Sequence, residues 1–315
     1  MTIKPYYETE LGKLYHGDCL EIMPQLEPVD LVLTDPPYGI MNGINGIDWD
    51  FSIKPKKLYN IANIILRPNG KLILFSQEPY TANLIKNTIR NIPFCYRAVW
   101  EKDNFANALM CNSAMVSFFE DILIFSKRYD ADLELSHPLR SYFKLLIEFI
   151  GLTLKQINLK LGHRRAEHSF YIESTQYELC TEQTYNELIE VFGIDKMEHY
   201  KPFLELKKID NKFKKDMPST FNLWEGKKYK SNVLKYKKDY DGYHPTQKPI
   251  LLIEDLIKTF SNDGDLIVDL TCGSGTTAIA CERLNRKWIG IEIEEKYCEI
   301  AAKRIEQERK QRKLF

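Results

Sequence analysis

Val29-Asp30-Leu31-Val32-Leu33 runs straight into Thr34-Asp35-Pro36-Pro37-Tyr38-Gly39, and the pattern returns near the far end of the chain, where Leu266-Ile267-Val268 opens into Asp269-Leu270-Thr271-Cys272-Gly273-Ser274-Gly275-Thr276-Thr277. In both places an apolar run of the length of a buried strand gives way to turn-forming residues. An open α/β sheet binds ligands at the carboxyl ends of its strands, so both segments are expected at that edge. Their chemistries differ. Pro36 and Pro37 stiffen the backbone after Asp35, which lets the turn present a carboxylate, a carbonyl and the Tyr38 ring to a planar substrate. Gly273 and Gly275 permit a tight turn and close approach of a bound molecule, and Thr276-Thr277 opens a helix whose free N–H groups suit an anionic group. Glu292 follows at the end of the next apolar run, where a carboxylate can accept from both hydroxyls of a ribose. A nicotinamide-binding fold uses the same ribose device, but the third glycine of Gly-x-Gly-x-x-Gly is missing here.

Strand and helix signals alternate around both motifs. Strands are predicted at 14–16, 29–33, 71–76, 95–100, 117–126, 266–270 and 288–291, and helices at 20–26, 56–66, 79–91, 250–260, 276–284 and 295–307. The reading is a doubly wound seven-strand α/β sheet. Between about 127 and 240 the alternation stops and helical periods take over, which divides the chain into a first half of the α/β domain (1–127), an inserted and mostly helical module (128–240), and a second half (241–315).

With 44 basic and 44 acidic residues among 315, the chain has no formal net charge, yet the charge is unevenly placed. Residues 201–238 hold twelve lysines against Glu205, Asp210, Asp216 and Glu225, a local excess of eight positive charges. Phe213, Phe221, Trp224, Tyr229 and Tyr236 are interleaved with them, a composition that suits a surface tracking a nucleic-acid strand and equally a solvated flank. The seven cysteines are odd in number and contain no Cys-x-x-Cys pair, so neither a disulfide framework nor a metal site is expected. No apolar run approaches the roughly 18 residues that span a membrane, and Met1-Thr2-Ile3-Lys4-Pro5 lacks the apolar core of a signal peptide, so the expected location is the cytoplasm.

At these motifs the chain resembles the amino-methyltransferases of DNA, in the β group, where the Asp-Pro-Pro-Tyr segment comes first, target recognition lies in the middle and the cofactor glycine loop comes last. Tyr15-His16-Gly17-Asp18, Val99-Trp100-Glu101-Lys102, His244-Pro245-Thr246-Gln247-Lys248-Pro249 and Trp288-Ile289-Gly290-Ile291-Glu292 extend the likeness. It implies S-adenosyl-L-methionine as cofactor, double-stranded DNA as substrate, and methylation of adenine N6 or cytosine N4. Asp at position 35 is the family's habit for adenine. The resemblance assigns catalysis to Asp35, Pro36 and Tyr38, and cofactor binding to Asp18, Asp269, Gly273, Ser274, Gly275, Thr276 and Glu292, with Thr246 and Lys248 near the methionine end. The family usually has Asp-Pro-Phe where this chain has Asp269-Leu270-Thr271. It leaves open whether the chain pairs with a second copy of itself or with a restriction endonuclease. A DNA-binding module on a vestigial methyltransferase fold is the alternative from another class.

An exocyclic amine is a weak nucleophile because its lone pair is delocalised into the ring. If Asp35 and the Pro36 carbonyl each accept one of its N–H bonds, the nitrogen moves toward tetrahedral geometry and the lone pair is freed. Tyr38 would stack on a base that has left the duplex, and 42–46 (Asn-Gly-Ile-Asn-Gly) would form a closing loop. In the middle, Leu152 to Gly162 has the spacing of the first helix of a helix-turn-helix over 145–172, with His163 to Phe170 opening the second. Arg164 and Arg165 would then read guanine, or the pair of helices is a packing hairpin. Lys212, Lys214 and Lys215 are the expected phosphate contacts.

Overall fold

The computed structural model describes residues 3–39, 52–106, 111–127, 137–173, 177–216, 220–239 and 247–312. Within them one sheet is built from β1 (Tyr7–Glu8), β2 (Gly12–His16), β3 (Val29–Thr34), β4 (Leu66–Ser76), β5 (Phe94–Ala106), β6 (Ser117–Ser126), β7 (Val233–Lys235), β8 (Leu266–Asp269) and β9 (Lys287–Glu292). The order across the sheet is β1-β2-β9-β8-β3-β4-β6-β5-β7. All seven expected strands are present, and β1 and β7 extend the two edges. Runs of two and three residues carry too little periodicity to be read from sequence.

From β3 the chain crosses one way to β4, and from β8 it crosses the other way to β9. Winding therefore reverses between β3 and β8, which opens a crevice at their carboxyl ends. The two strands are parallel, with Leu31 beside Ile267 and Val32 beside Val268, so Asp35 and Asp269 emerge next to one another from opposite ends of the chain. Both faces of the sheet are covered. Val29, Val32, Leu72 and Leu74 pack with Leu58, Tyr59 and Ala62 of α2 (Pro55–Ile65), the second helix after the short α1 (Cys19–Ile22) and followed by α3 (Tyr80–Lys86). Leu31, Leu33, Ile73 and Phe75 pack on the other side with helices described below. Each such side chain contributes roughly 1.5–3 kcal/mol on full burial, and burial on both faces is why the central strands read as unbroken apolar runs.

Residues 129–219 form a second unit. It contains α4 (Leu139–Ile150), α5 (Leu154–Leu161), α6 (Glu182–Phe192) and α7 (Phe203–Asp216), around a core that includes Phe143, Leu146, Ile157, Leu188 and Leu206. Thr153 and Gln156 form a reciprocal cap at the start of α5, and Gly162 ends it in the left-handed region at φ 72°. The second helix expected at His163 does not follow. Residues 167–170 make one 3-10 turn, and the next helix begins only at Glu182. Between His163 and Glu167 only Ala166 is buried, too little apolar surface to seat a helix. The polar residues close on carboxylates instead, His163 and Arg165 on Glu187 at 2.7 and 2.8 Å, and Arg164 on Glu167 at 2.6 Å. Among the described residues no helix-turn-helix of the expected form is present.

The chain returns to the sheet unit at Thr220, earlier than the expected boundary at 240. Here α8 (Ile250–Phe260), α9 (Thr276–Leu284) and α10 (Glu295–Arg312) cover the second face of the sheet. Asp255 of α8 is buried and accepts from Trp224 Nε1 (2.9 Å), Lys230 Nζ (2.6 Å) and the Tyr236 hydroxyl (2.9 Å). A buried carboxylate demands such donors, and satisfying it draws 224–236 onto the α/β domain. Half of the lysine-rich stretch is thereby removed from the helical module. Among the described residues no helix is long and apolar enough to cross a membrane.

Candidate active site

Asp35 leaves β3 with both carboxylate oxygens engaged. Oδ1 accepts the Tyr38 hydroxyl at 2.6 Å, and Oδ2 faces Lys248 Nζ. On its other side Lys248 lies 3.2 Å from Glu120 of β6, which in turn pairs with Lys102 of β5 at 2.5 Å. Burial pushes the Asp35 carboxyl up, and Glu120 adds to this against the pull of Lys248. Burial alone would draw Lys248 down, but Asp35 and Glu120 together hold it above its ordinary value, so it stays an ammonium. For Glu120, desolvation is outweighed by Lys248 and Lys102, and the group stays a carboxylate. Burial and the neighbouring Asp35 keep the Tyr38 phenol far above its usual value, which preserves it as a donor. The Tyr38 ring packs near that of Tyr80, centroids 5.9 Å apart.

The glycine loop is held from below and from the side. Gly273 N–H donates to Glu292 Oε2 at 2.8 Å, and Glu294 N–H to Oε1 at 2.9 Å, while burial pushes the Glu292 carboxyl up. Arg304 of α10 donates to the Ser274 carbonyl (2.7 Å) and hydroxyl (2.8 Å). Gly275 sits at φ 83°, where a Cβ would lie 2.9 Å from Ala301 Cβ. Its glycine is thus demanded by the packing of α10 under the loop as well as by any ligand above it. Thr276 begins α9. Asp18 caps α1 through Leu20 N–H at 2.8 Å, at the end of β2, whose last residue His16 lies beside Glu292.

Loop and turn are laced together by hydroxyls. Asp269 accepts from Thr34 (2.9 Å), Thr277 (2.6 Å) and Thr271 N–H (3.2 Å). Thr271, at the place of the family's phenylalanine, donates its hydroxyl to the Asp35 carbonyl at 2.9 Å. The departure from the family pattern therefore lends the Asp35 turn a hydrogen bond. The Asp269 carboxyl is pushed up to about 6, chiefly by burial.

The structure brings together Asp35, Pro36, Tyr38 and Lys248 on one side of the crevice and Asp18, Asp269, Gly273, Ser274, Gly275, Thr276 and Glu292 on the other. Thr246 and the 42–46 loop lie outside the described residues. Lys248, expected near the methionine end of a cofactor, stands on the Asp35 carboxylate. Lys212, Lys214 and Lys215 are exposed on α7, with Lys214 paired to Asp210 at 3.0 Å. Sequence reasoning missed Glu120, Lys102, Thr34, Thr271, Gln247 and Arg304. Thr34, Lys102, Gln247 and Thr271 stand inside the quoted motifs with no role given to them there, and Glu120 shows only as one of two adjacent carboxylates, with Asp121, in the mostly apolar run from Ser117 to Ser126. Gln247 is half-buried beside the loop, with its Oε1 3.2 Å from the Ser274 hydroxyl and its buried Nε2 without a hydrogen-bond partner among the described residues.

A family model described as DNA methylase matches residues 29–303. The chain belongs to the DNA methylase family. This methylase is 26% identical over 324 residues to the Type II methyltransferase M2.LlaDCHI of Lactococcus lactis subsp. cremoris, covering 96% of this chain and 92% of that protein. It is 25% identical over 323 residues to the DNA adenine methyltransferase YhdJ of Escherichia coli, covering 95% and 84%. In fold, the methylase is similar to the PvuII DNA methyltransferase, described as cytosine-N4-specific, with a TM-score of 0.52 at 16% identity over 95% of this chain and 88% of that one. It is similar also to the M1.HpyAVI–SAM complex, with a TM-score of 0.51 at 20% identity over 93% and 99%.

Proposed function

We propose that this DNA methylase transfers a methyl group from S-adenosyl-L-methionine to the N6 amino group of adenine within a specific sequence of double-stranded DNA. The observation that carries the reading is the Asp35 carboxylate, oriented by Tyr38 and facing the same crevice as the Gly273–Thr276 loop. When bound, the cofactor supplies an electrophilic methyl group on a sulfonium. The loop residues Gly273, Ser274, Gly275 and Thr276 would hold its methionine end, and the amide donor of Gln247, without a partner among the described residues, fits the carboxylate there. Glu292 would accept from the ribose hydroxyls and Asp18 would border the adenine. Asp269, its oxygens already engaged by Thr34, Thr277 and Thr271, acts as the brace beneath both.

Asp35 and the Pro36 carbonyl would draw the two amino hydrogens of a flipped base, leaving the nitrogen lone pair free, with the Tyr38 ring stacked on the base. The exposed lysines of α7, Lys212, Lys214 and Lys215, would position phosphates. Arg164 and Arg165 remain candidate base readers only if DNA displaces Glu167 and Glu187 from them. Sequencing modified bases in DNA from cells expressing the chain tests the reading, with N6-methyladenine in one motif expected and N4-methylcytosine overturning the adenine assignment. In parallel, Asp35→Ala should raise the barrier by about 3 kcal/mol, about a hundredfold in single-turnover rate, with S-adenosylmethionine affinity by calorimetry near wild type. Wild-type turnover in that variant would sink the assignment of Asp35.

A further inference from the structure

Asp35, Lys248, Glu120 and Lys102 form a row of alternating charges that starts at the reactive turn and ends in the protein interior. The side chains of Lys248, Glu120 and Lys102 are 7%, 12% and 1% exposed, against 23% for Asp35. We propose that Lys248 is a movable counter-ion, which covers Asp35 before the base arrives and is taken over by Glu120 when the amino group claims that carboxylate oxygen. Glu120 is then a positioning residue for the reaction, acting through Lys248.

The argument starts from the oxygens. With Tyr38 on Oδ1 and Lys248 on Oδ2, an incoming amino group finds no oxygen of Asp35 unshared. An ammonium held on the same oxygen would withdraw the charge that has to polarise the amine. Lys248 cannot leave for solvent, because it is buried with the Phe75 ring 5.2 Å away, and a buried ammonium without a partner is strongly unfavourable. Glu120 offers the seat. Its Oε1 is taken by Lys102, whereas Oε2 lies 3.2 Å from Lys248 Nζ as a charge contact rather than an aligned hydrogen bond. A shift of the lysine tip would shorten it toward the ~2.8 Å of a charge-assisted bond. Lys102 keeps Glu120 ionised throughout, itself beside the Trp100 ring at 5.3 Å. Among the described residues, the charged and titratable groups around the row include Tyr38 with Tyr80 behind it, Asp269 beyond Asp35, and Lys238 acting on Lys102.

The inference rests on the proposed role of Asp35. Glu120→Gln keeps the volume and removes the charge, so Lys248 should stay on Asp35. We expect kcat at saturating DNA and cofactor to fall ten- to a hundredfold, the dissociation constant of S-adenosylmethionine to stay within twofold, and Glu120→Asp to recover most of the rate. Both limbs of the kcat–pH profile should move to lower pH, since Glu120 raises Asp35 as well as Lys248. The double variant Glu120→Gln/Lys102→Gln removes the interior pair as a unit, leaves no uncompensated ammonium, and should show a displacement in the same direction but smaller, because the charge of Lys102 opposes that of Glu120. A merely structural Glu120 would lower the melting temperature and leave both limbs in place, and that result, or wild-type kcat in either folded variant, overturns the proposal. Asp35→Asn run alongside separates the two readings. If Asp35→Asn is inactive while Glu120→Gln is unaffected, only the counter-ion falls; if Asp35→Asn is active, the role of Asp35 falls first.

Discussion

At the carboxyl edge of β3 and β8, residues from both ends of the chain converge on shared hydrogen bonds, whereas the twelve lysines between 201 and 238 diverge into two units. Thr34, Asp35, Asp269 and Thr271 each appear in a motif with fixed spacing, and each meets a partner from the other motif. The lysines share only a composition. Lys212, Lys214 and Lys215 stand exposed on α7, while the side chain of Lys230 is largely covered, against Glu225 and Asp255. A motif specifies backbone geometry and so specifies its neighbours. A charge excess specifies only that counter-charges must be found, in solvent, in a ligand or inside the fold.

The sharpest way to break the first half of that comparison is Gly275→Val. A β-branched residue at φ 83° with its Cβ against Ala301 adds backbone strain of roughly 1–3 kcal/mol to overpacking of similar size. We expect a total of about 4 kcal/mol, read as a large fall in melting temperature together with loss of cofactor binding in calorimetry. Tight binding by a stable variant would mean that the loop is not built around this glycine.

Asp269 gives the next effect and a pH signature. Its folded value of about 6 lies above the ordinary 3.8, so the carboxyl favours the fold while protonated. That contribution is complete below about pH 4 and is lost as pH rises through about 6, amounting to roughly 3 kcal/mol by linkage. Asp269→Asn should erase this slope in a series of melting curves between about pH 4 and 7. If the difference in stability between wild type and Asp269→Asn stays constant from about pH 4 to about pH 7, the placement of Asp269 beneath the two turns is contradicted.

The lysines supply the smaller effects and sharpen the second half. Lys230→Met leaves Asp255 with Trp224 and Tyr236 but without its cation, and should cost about 2 kcal/mol of stability in denaturant unfolding. Replacing Lys212, Lys214 and Lys215 together by Gln should cost at most about 1 kcal/mol of stability, from the exposed end of the Lys214–Asp210 ion pair, since the other two sites are exposed and away from such features. It should instead flatten the salt dependence of DNA binding by up to about one unit of log-log slope for each phosphate no longer neutralised, equally for cognate and scrambled duplexes. If both substitutions behave alike in both assays, the division of the stretch at Thr220 has no energetic meaning.

Much of the site was legible because its residues announce themselves locally. Pro36 and Pro37 constrain φ wherever they occur, Gly273 and Gly275 mark a turn, and the apolar runs of β3 and β8 need burial on two faces whatever surrounds them. The expected second helix at His163 fails for the opposite reason. Helical spacing there lacks the apolar surface to seat a helix, and Glu187, a residue of another helix, offers His163 and Arg165 better partners than a helix would. Glu120 and Lys102 were illegible because neither belongs to a turn. Each is a polar side chain on a strand whose purpose depends on what stands across the sheet.

By itself the sequence determined the strand and helix alternation, the order of the two motifs and the identities of the groups that line the crevice, since these depend on backbone preferences and burial patterns within a few residues. Tertiary structure alone decided that Lys248 rests between Asp35 and Glu120, that Thr271 supports the Asp35 carbonyl, and that Asp255 draws Lys230 away from the surface. Each of those pairings joins residues far apart in the chain, and a buried charge chooses its partner by distance in space, which no local pattern encodes.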